Sequence, residues 1–297
     1  VELSAASRTA SVRRVLLVVV RGARVDRFVP ALSQRLNSPA SGFARLLREG
    51  AVGVAQAPAS REHAAMISAV SGLGADVHRV SELTDMLSEE APTMASLLAQ
   101  LGVTTRLYTD DVALLGSGAD RGFSERVACA NEAATCRPDW MFTAAAEALT
   151  RTRTDAQLVV VVTRAGVLPV DPTPENVNLL DPQPYEGQMT SARTSLYADP
   201  ERGDPRRVEV RESREIERLG ILYDASLLAV DRALGTVLER LHDQRLDEDT
   251  LVIVTGDRGT LLGEVPESSD RWMALPMATT TVWMARGPGF THGHVEG

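Results

Sequence analysis

The chain has 297 residues, of which 44% are hydrophobic and 24% charged, so it is long enough and apolar enough to bury a substantial core. This composition excludes a disordered or fibrous protein, and the net charge of -9 argues against nucleic acid as a partner because polyanions are repelled at long range. The longest apolar run, residues 15–20, is too short to cross a bilayer.

The first predicted element is a strand, RVLLVVV, whose unbroken β-branched run is typical of a strand covered on both faces. A helix follows at GFARLLREG, then a strand at AVGVAQ and a helix in the second half of APASREHAAMISAVSG. Further along, TMASLLAQLG predicts a helix, VTTRLYT a strand, PDWMFTAAAEAL a helix and QLVVVVT a central strand. Strands and helices therefore alternate along this half of the chain.

The alternation breaks at about residues 170–213, where a stretch rich in Pro, Asp and Glu predicts an irregular insertion. The next helix is the clearest in the chain, since apolar residues recur at three- and four-residue steps from Ile216 to Leu241. Strands at TLVIVTGD and TTVWMARG complete the set. The pattern predicts a single domain over residues 1–297, an α/β fold built as a three-layer α/β/α sandwich with a mostly parallel central sheet.

Two cysteines, Cys129 and Cys136, lie close together in ACANEAATC. Their spacing favours a local disulfide if the compartment is oxidising, with two unpaired thiols as the alternative. Metal binding by this pair is disfavoured because its surroundings supply too few further ligands.

Three strand ends carry the most specific sequence: VVVRGARVD, VVVVTRAGVLPVD and VIVTGDRGT. Together with REGAVGVAQAPASREHAAMISAVSGL and YDASLLAVDRALGTVLERL, their order resembles the alkaline phosphatase and sulfatase superfamily over nearly the whole chain. A narrower resemblance is to the lumenal domain of GPI ethanolamine phosphate transferases of the first-mannose type. RRVLLVVVRGARVD is similar to that family's RRLVLFVADGLRAD, APASREHAAMISAVSG to its VPTESRPGHVALIAG, and PDWMF to its DTWVF.

The resemblance implies a particular metal site, because the similar enzymes hold two zinc-like ions with Asp and His side chains. Carried over position by position, one Asp ligand falls on Arg21 and one His ligand on Arg258. Only Asp257 is still a residue of a type that can bind a metal ion. The other ligand positions fall on Leu168, Pro172 and Ser269. A guanidinium is always charged and does not coordinate metal ions, so we expect a degenerate site without bound metal. We also expect a guanidinium within salt-bridge distance of Asp257.

The position of the nucleophile, a Thr or Ser in the similar enzymes, depends on the anchor used to align the loop. Anchoring on Pro58 places Ala59 there, and anchoring on Gly72 places Ser60 there. The Ser60 hydroxyl could in principle attack, but a serine without a metal or general base is a poor nucleophile at neutral pH. We therefore expect no catalytic residue.

Other polar residues admit a functional and a structural interpretation. His63 could be a remnant substrate contact, but a hydrogen-bonding or capping role is favoured. His292 and His294 are spaced like metal ligands, but at a chain end without a further ligand they are expected to be mobile surface residues. Asp110 and Asp111 could be paired carboxylates for acid/base work, but a solvated loop or helix cap is favoured.

Three functional hypotheses follow. The leading one is a catalytically inactive, GPI ethanolamine phosphate transferase-like domain that serves as a structural or interaction subunit of a larger assembly, with other protein subunits as partners and no cofactor. The alternatives are an active metal-dependent phosphoethanolamine transferase or hydrolase using Ser60, and a phosphate-ligand binding module using Arg21 and Arg258.

The resemblance implies the lumen of the secretory pathway or another extracytoplasmic location, with a membrane-associated organellar complex as the alternative. Because the chain begins at Val1 without an initiator Met, we expect processing or a longer product. A membrane segment or a membrane-anchored partner could then lie outside this chain.

Overall fold

A computed structural model of the chain describes residues 12–28, 41–129, 137–152, 155–194, 213–263, 275–290 and 293–295. Within these ranges eight strands form one sheet. In chain order they are β1 (Arg14–Val20), β2 (Ala51–Gln56), β3 (Thr104–Thr109), β4 (Glu125–Ala128), β5 (Gln157–Thr163), β6 (Thr250–Thr255), β7 (Thr280–Arg286) and β8 (Gly293–Val295).

The α-helices flank this sheet. In chain order they are α1 (Val25–Phe28), α2 (Gly42–Glu49), α3 (Glu62–Ser71), α4 (Ala75–His78), α5 (Met94–Gln100), α6 (Pro138–Arg151), α7 (Pro174–Leu180), α8 (Ser213–Asp243) and α9 (Pro276–Thr279). Short 3₁₀ turns occur at Val112–Leu114, Ser191–Thr194 and Asp247–Asp249. None of the helices in the described ranges combines the length and apolar character needed to cross a membrane.

The sheet is mixed and mainly parallel, with strand order β4-β3-β5-β1-β6-β7-β2-β8. The central strand β1 pairs in parallel with β5 on one side and β6 on the other, and β3 pairs in parallel with both β5 and β4. Strand β7 is antiparallel to β6 and β2. The carboxyl ends of β1, β3, β5 and β6 therefore meet at one edge, where ligand sites of such sheets lie.

Helices cover both faces of the sheet, which confirms the predicted three-layer architecture. The larger core packs α2, α6, α7 and α8 against one face, and β1 contributes Leu16, Val18 and Val20 to it. The smaller core packs α3, α5 and the loops around them against the other face, to which β1 contributes Val19. Alternate residues of β1 thus enter opposite cores, because side chains alternate between the faces of a strand.

Two parts of the fold differ from the sequence-based prediction. The stretch predicted as an irregular insertion contains helix α7, which begins where the Thr173 side chain caps the Asn176 N–H, while residues 195–212 lie outside the described ranges. Strands β4 and β8 were not predicted. In β8 the backbone of His294 pairs with that of Val52 in β2, while His292 lies outside the described ranges, so their expected mobility stays a prediction.

Candidate functional site

Arg21 is the first residue after β1, at the sheet edge where the parallel strands end. Its backbone N–H donates to the carbonyl of Thr163 at 2.8 Å, which extends the β1–β5 ladder by one bond. The chain then turns sharply at Gly22, where φ is +72°, and a Cβ at this position would clash with the carbonyl oxygen of Gly166. This turn fixes the position of the Arg21 backbone, from which its side chain extends.

The guanidinium of Arg21 is buried among three carboxylates. Its Nε donates to Oδ2 of Asp257 at 3.2 Å, its Nη2 donates to Oε1 of Glu62 at 2.7 Å, and its Nη1 contacts Oδ2 of Asp111. Arg21 is 4% exposed, Asp111 3% and Asp257 0%. We call these four residues the Arg21 cluster.

Asp257 follows the end of β6 and uses both of its carboxylate oxygens. One, Oδ1, accepts the backbone N–H groups of Gly22 and Arg258, each at 2.8 Å. The other, Oδ2, accepts from Nε of Arg21. The prediction that a guanidinium lies within salt-bridge distance of Asp257 is therefore confirmed.

Arg258 brings a second guanidinium to the same edge of the sheet. Its side chain is 4% exposed, and its Nη2 lies 3.7 Å from Oε2 of Glu62. Glu62 is the first residue of α3, so this helix supplies the carboxylate that lies between the two arginines. Two guanidinium groups and three carboxylates thus share a site that is buried except at Glu62, whose side chain is 40% exposed. Opposite charges in its buried part interact more strongly than in water.

Asp110 and Asp111, at the end of β3, were expected in a solvated loop or as a helix cap, and the cap is confirmed for Asp111. Asp111 caps the 3₁₀ turn by accepting the Ala113 N–H at 3.1 Å, and its other oxygen contacts Arg21. Asp110 accepts the Arg164 N–H at 2.8 Å and the Thr163 hydroxyl at 2.9 Å. Burial raises the pKa of the Asp110 carboxyl above its ordinary value, although these hydrogen bonds oppose the shift.

This shift predicts a pH dependence for Asp110→Asn. A carboxyl whose pKa is raised on folding stabilises the protein below its unfolded pKa, 3.8, and that contribution is lost as the pH rises through the folded pKa. The amide keeps an acceptor for the Arg164 N–H and removes the charge. As the pH rises from acidic to neutral, the free energy of unfolding of the variant, measured in urea, should therefore increase relative to that of the unmodified protein. Parallel curves for the two proteins would contradict the assignment.

The other predicted positions lie in different surroundings. Ser60 is exposed and Ala59 is partly buried in the loop between β2 and α3. His63 is buried on α3, and burial lowers its pKa. Leu168 is buried in the larger core, and Pro172 lines a cavity on the side of α7 and α8. Ser269 lies outside the described ranges.

That cavity has a volume of about 720 Å³ and lies next to the Arg21 cluster, with Asp110 in its wall. Cys129 also lines it and is disulfide-bonded, while the other cysteine, Cys136, lies outside the described ranges. Across the part of the chain that the structure describes, no group of three or more His, Cys, Asp or Glu residues could hold a metal ion.

Neither Glu62 nor the contact of Asp111 with Arg21 was predicted from the sequence. A signal for Asp111 was present, because two carboxylates directly follow a strand of a parallel sheet and the ends of such strands share one edge. Glu62 gave a weaker signal, since an acidic residue in the first turn of a helix is ordinary. The structure thus assembles Arg21, Asp257 and Arg258 as predicted and adds two carboxylates.

Solved structures with similar folds include two hydrolases and one transferase. Phosphonate monoester hydrolase from Agrobacterium radiobacter is 17% identical, with a TM-score of 0.68, 96% of this chain covered and 70% of that one. The enzyme from Silicibacter pomeroyi is 19% identical, with a TM-score of 0.67 and coverages of 95% and 70%. The C-terminal periplasmic domain of phosphoethanolamine transferase EptC from Campylobacter jejuni is 15% identical, with a TM-score of 0.59 and coverages of 93% and 79%.

At these identities the likeness shows the fold alone, which is that of alkaline phosphatase- and sulfatase-like proteins. In sequence, no curated protein matches the chain. The family profile described as Sulfatase matches residues 63–289, well over half of the chain. This match spans the segments that contribute Asp111, Asp257 and Arg258 to the site, and the chain belongs to the Sulfatase family.

Proposed function

We propose that this Sulfatase-family domain is catalytically inactive and serves as a structural or interaction subunit of a larger assembly. The observation that carries the proposal is the buried guanidinium of Arg21, which contacts Asp257, Glu62 and Asp111. A cation built into the chain then neutralises the carboxylates that would otherwise attract metal ions.

The residues present do not fit the two zinc-like ions that the resemblance implies. Zinc would need unoccupied carboxylate oxygens or imidazole nitrogens at about 2 Å. Both oxygens of Asp257 already accept N–H groups, and arginines stand at two of the ligand positions carried over from the similar enzymes. A dication placed here would also meet the positive charges of Arg21 and Arg258 at close range.

The alternative of an active transferase or hydrolase depends on Ser60. Ser60 is exposed, and no described residue gives its side chain a hydrogen bond. Activating a serine hydroxyl requires a base within hydrogen-bond reach or a metal ion. The surroundings of Ser60 therefore favour the inactive protein.

The alternative of a phosphate-binding module at Arg21 and Arg258 is also less favoured. A guanidinium that binds phosphate must offer its N–H groups to the ligand. Those of Arg21 are directed at Asp257, Glu62 and Asp111, so an incoming phosphate would compete with three carboxylates and be repelled by them.

Exposed apolar side chains support an interaction role. Residues 77–115 include seven exposed large hydrophobic residues: Val77, Leu83, Met86, Leu97, Leu101, Val112 and Leu115. Single exposed hydrophobic residues are ordinary, but we take seven of them within this one stretch of the chain as support for a surface that contacts another protein.

We further propose that the chain descends from phosphoethanolamine-transferring enzymes of the GPI type and lies in an extracytoplasmic compartment. The narrower sequence resemblance supports the first part. The disulfide-bonded Cys129 supports the second, because disulfides persist in oxidising compartments.

A turnover assay tests the proposed inactivity. Purified protein supplied with zinc or manganese should hydrolyse p-nitrophenyl esters of phosphate, phenylphosphonate and sulfate no faster than a Ser60→Ala variant prepared in parallel. The matched variant removes the one candidate nucleophile and corrects for contaminating phosphatases. Metal-dependent turnover by the unmodified protein that is lost in Ser60→Ala would overturn the proposal.

A further inference from the structure

The connection between α4 and α5 presents two large hydrophobic side chains to solvent. Leu83 and Met86, in residues 81–91, are each 68% exposed. They are brought together by one turn, in which the Asp85 N–H donates to the carbonyl of Glu82 at 3.0 Å. Because large apolar side chains gain free energy when they leave water, two of them on one turn favour contact with another molecule. We call residues 81–91 the acidic loop, for the charges described below.

Hydrogen bonds hold the first half of the acidic loop in a fixed shape. Oδ2 of Asp85 accepts the N–H groups of Ser81 at 2.9 Å and Glu82 at 2.8 Å. The Leu87 N–H donates to the carbonyl of Ser117 at 2.8 Å, which ties the loop to the segment after β3. A surface that is ordered before its partner arrives loses less entropy on binding.

The second half of the acidic loop is fixed by Arg121. Its Nη2 donates to the carbonyls of Ser88 at 2.6 Å and Ala91 at 2.8 Å, and the Ala91 N–H donates to the Ser88 carbonyl at 3.0 Å. This closes a second turn, in which Glu89 and Glu90 are the central residues and are exposed. Among the described residues neither glutamate has an ion-pair partner, so both carboxylates are available to another molecule.

The charges of the acidic loop indicate what kind of molecule fits it. The loop contains no Lys, Arg or His and has four acidic residues: Glu82, Asp85, Glu89 and Glu90. Of the arginines beside it, Arg61 is paired with Glu82 and Arg121 is directed at backbone carbonyls. The exposed Arg79 is offset by the exposed Asp76 on α4. Protein surfaces that bind each other have complementary potentials, so this loop favours a basic partner and disfavours nucleic acid.

We infer that the acidic loop docks a basic amphipathic helix of another protein, an inference that rests on the interaction role proposed above. Such a helix carries apolar and charged residues on adjacent faces, as this loop carries an apolar and an acidic turn in succession. Leu83 and Met86 contact the apolar face, to which the flexible Met86 side chain adapts. Glu89 and Glu90 pair with Lys or Arg side chains at its border.

Titration of the full chain, followed by fluorescence anisotropy, tests this surface with three synthetic peptides of about five helical turns. One is an amphipathic helix of leucine and lysine, the second has the same composition in scrambled order, and the third has glutamate in place of lysine. We expect saturable binding of the first peptide and at least about tenfold weaker binding of the other two, which lack the apolar face or the positive charge.

Two variants separate the apolar from the charged contribution. Leu83→Ser/Met86→Ser should weaken binding of the leucine–lysine helix at least about tenfold, because buried apolar anchors carry most of the energy of an interface. Glu89→Gln/Glu90→Gln should weaken it roughly twofold to tenfold and make it less sensitive to salt. If the first variant fails to fold, Met86→Ser replaces it, with a smaller loss expected.

Matched controls make the same kinds of change elsewhere. Val54→Ser/Leu179→Ser removes two hydrophobic side chains that are 47% and 50% exposed, and Asp243→Asn/Glu248→Gln removes two exposed carboxylates. Both variants should bind the leucine–lysine helix as the unmodified protein does. Equal losses in the loop variants and these controls overturn the inference, as does absence of saturable binding.

Other occupants of the acidic loop are outcomes of the same set of measurements. Self-association in light scattering, or binding to phosphatidylcholine vesicles, that is lost in Leu83→Ser/Met86→Ser while the helix does not bind would overturn the basic partner. The turnover assay described above keeps the two proposals apart. Turnover together with helix binding refutes the inactivity alone, whereas absence of both refutes only the docking surface.

Discussion

Replacing Arg21 with alanine should lower the free energy of unfolding by about 3–5 kcal/mol, the cost of removing one partner from a buried ion pair. The change leaves the carboxylate of Asp257, which is wholly buried, and that of Asp111 without the guanidinium between them. Arg258 remains at the same edge of the sheet, where its Nη2 lies 3.7 Å from Oε2 of Glu62. Urea unfolding followed by circular dichroism at neutral pH measures the difference.

Two controls separate charge from packing in this experiment. Arg21→Met keeps a long side chain in the space that Arg21 fills and removes the charge. If the carboxylates need a cation, this variant should also have a much lower free energy of unfolding than the unmodified protein. Arg48→Ala removes an exposed guanidinium on α2 and should change stability by less than about 0.5 kcal/mol. An Arg21→Ala protein as stable as the Arg48→Ala protein would show that the cluster does not need this charge.

A large gain in stability on adding zinc is expected for the double variant Arg21→Asp/Arg258→His. These substitutions place an Asp and a His, two residue types that bind metal ions, beside Asp257. The variant then holds an extra carboxylate among Asp257, Glu62 and Asp111, so we expect it to be unstable without metal. Zinc should stabilise it, because a ligand at 100 times its dissociation constant adds about 2.7 kcal/mol to the folded state. Thermal unfolding with increasing zinc concentration measures this gain.

A matched variant, Arg48→Asp with Arg151→His, makes the same substitutions on the exposed surfaces of α2 and α6. It corrects for non-specific zinc binding and for the change in net charge. We expect no zinc-dependent rise in its melting temperature. A rise as large as that of the site variant would remove the support for a former metal position at Arg21 and Arg258.

Much of the fold could be predicted from the sequence because its strands are strongly patterned. The run at β1 is apolar on both faces, as a central strand of a covered parallel sheet must be, and the stripe of α8 from Ile216 to Leu241 identifies a helix packed on that sheet. Strands β4 and β8 escaped prediction because they are short edge strands, four and three residues long. At an edge, backbone pairing with a neighbour decides the structure more than local apolar pattern does.

Part of the Arg21 cluster could also be predicted from the pattern of the strands. Arg21, Asp257 and Arg258 follow strands whose ends could be located in the sequence, so their proximity was expected. The partners of Arg21 could not be assigned in the same way, because Glu62 and Asp111 are brought to it by the tertiary packing of α3 and of the loop after β3. An aspartate that caps a turn has the same local sequence whether or not it is ion-paired, so the cap at Asp111 could be expected but its contact with Arg21 could not.

The most direct test of the account is equilibrium dialysis of the unmodified protein against zinc, after treatment with EDTA, with bound metal measured by mass spectrometry. Because the Arg21 guanidinium is ion-paired with the carboxylates of the site, we predict no saturable binding of zinc in the micromolar range. We also predict no change in the melting temperature of the protein on adding zinc. Saturable binding of one or two ions per chain that is lost in Asp257→Asn would contradict the account.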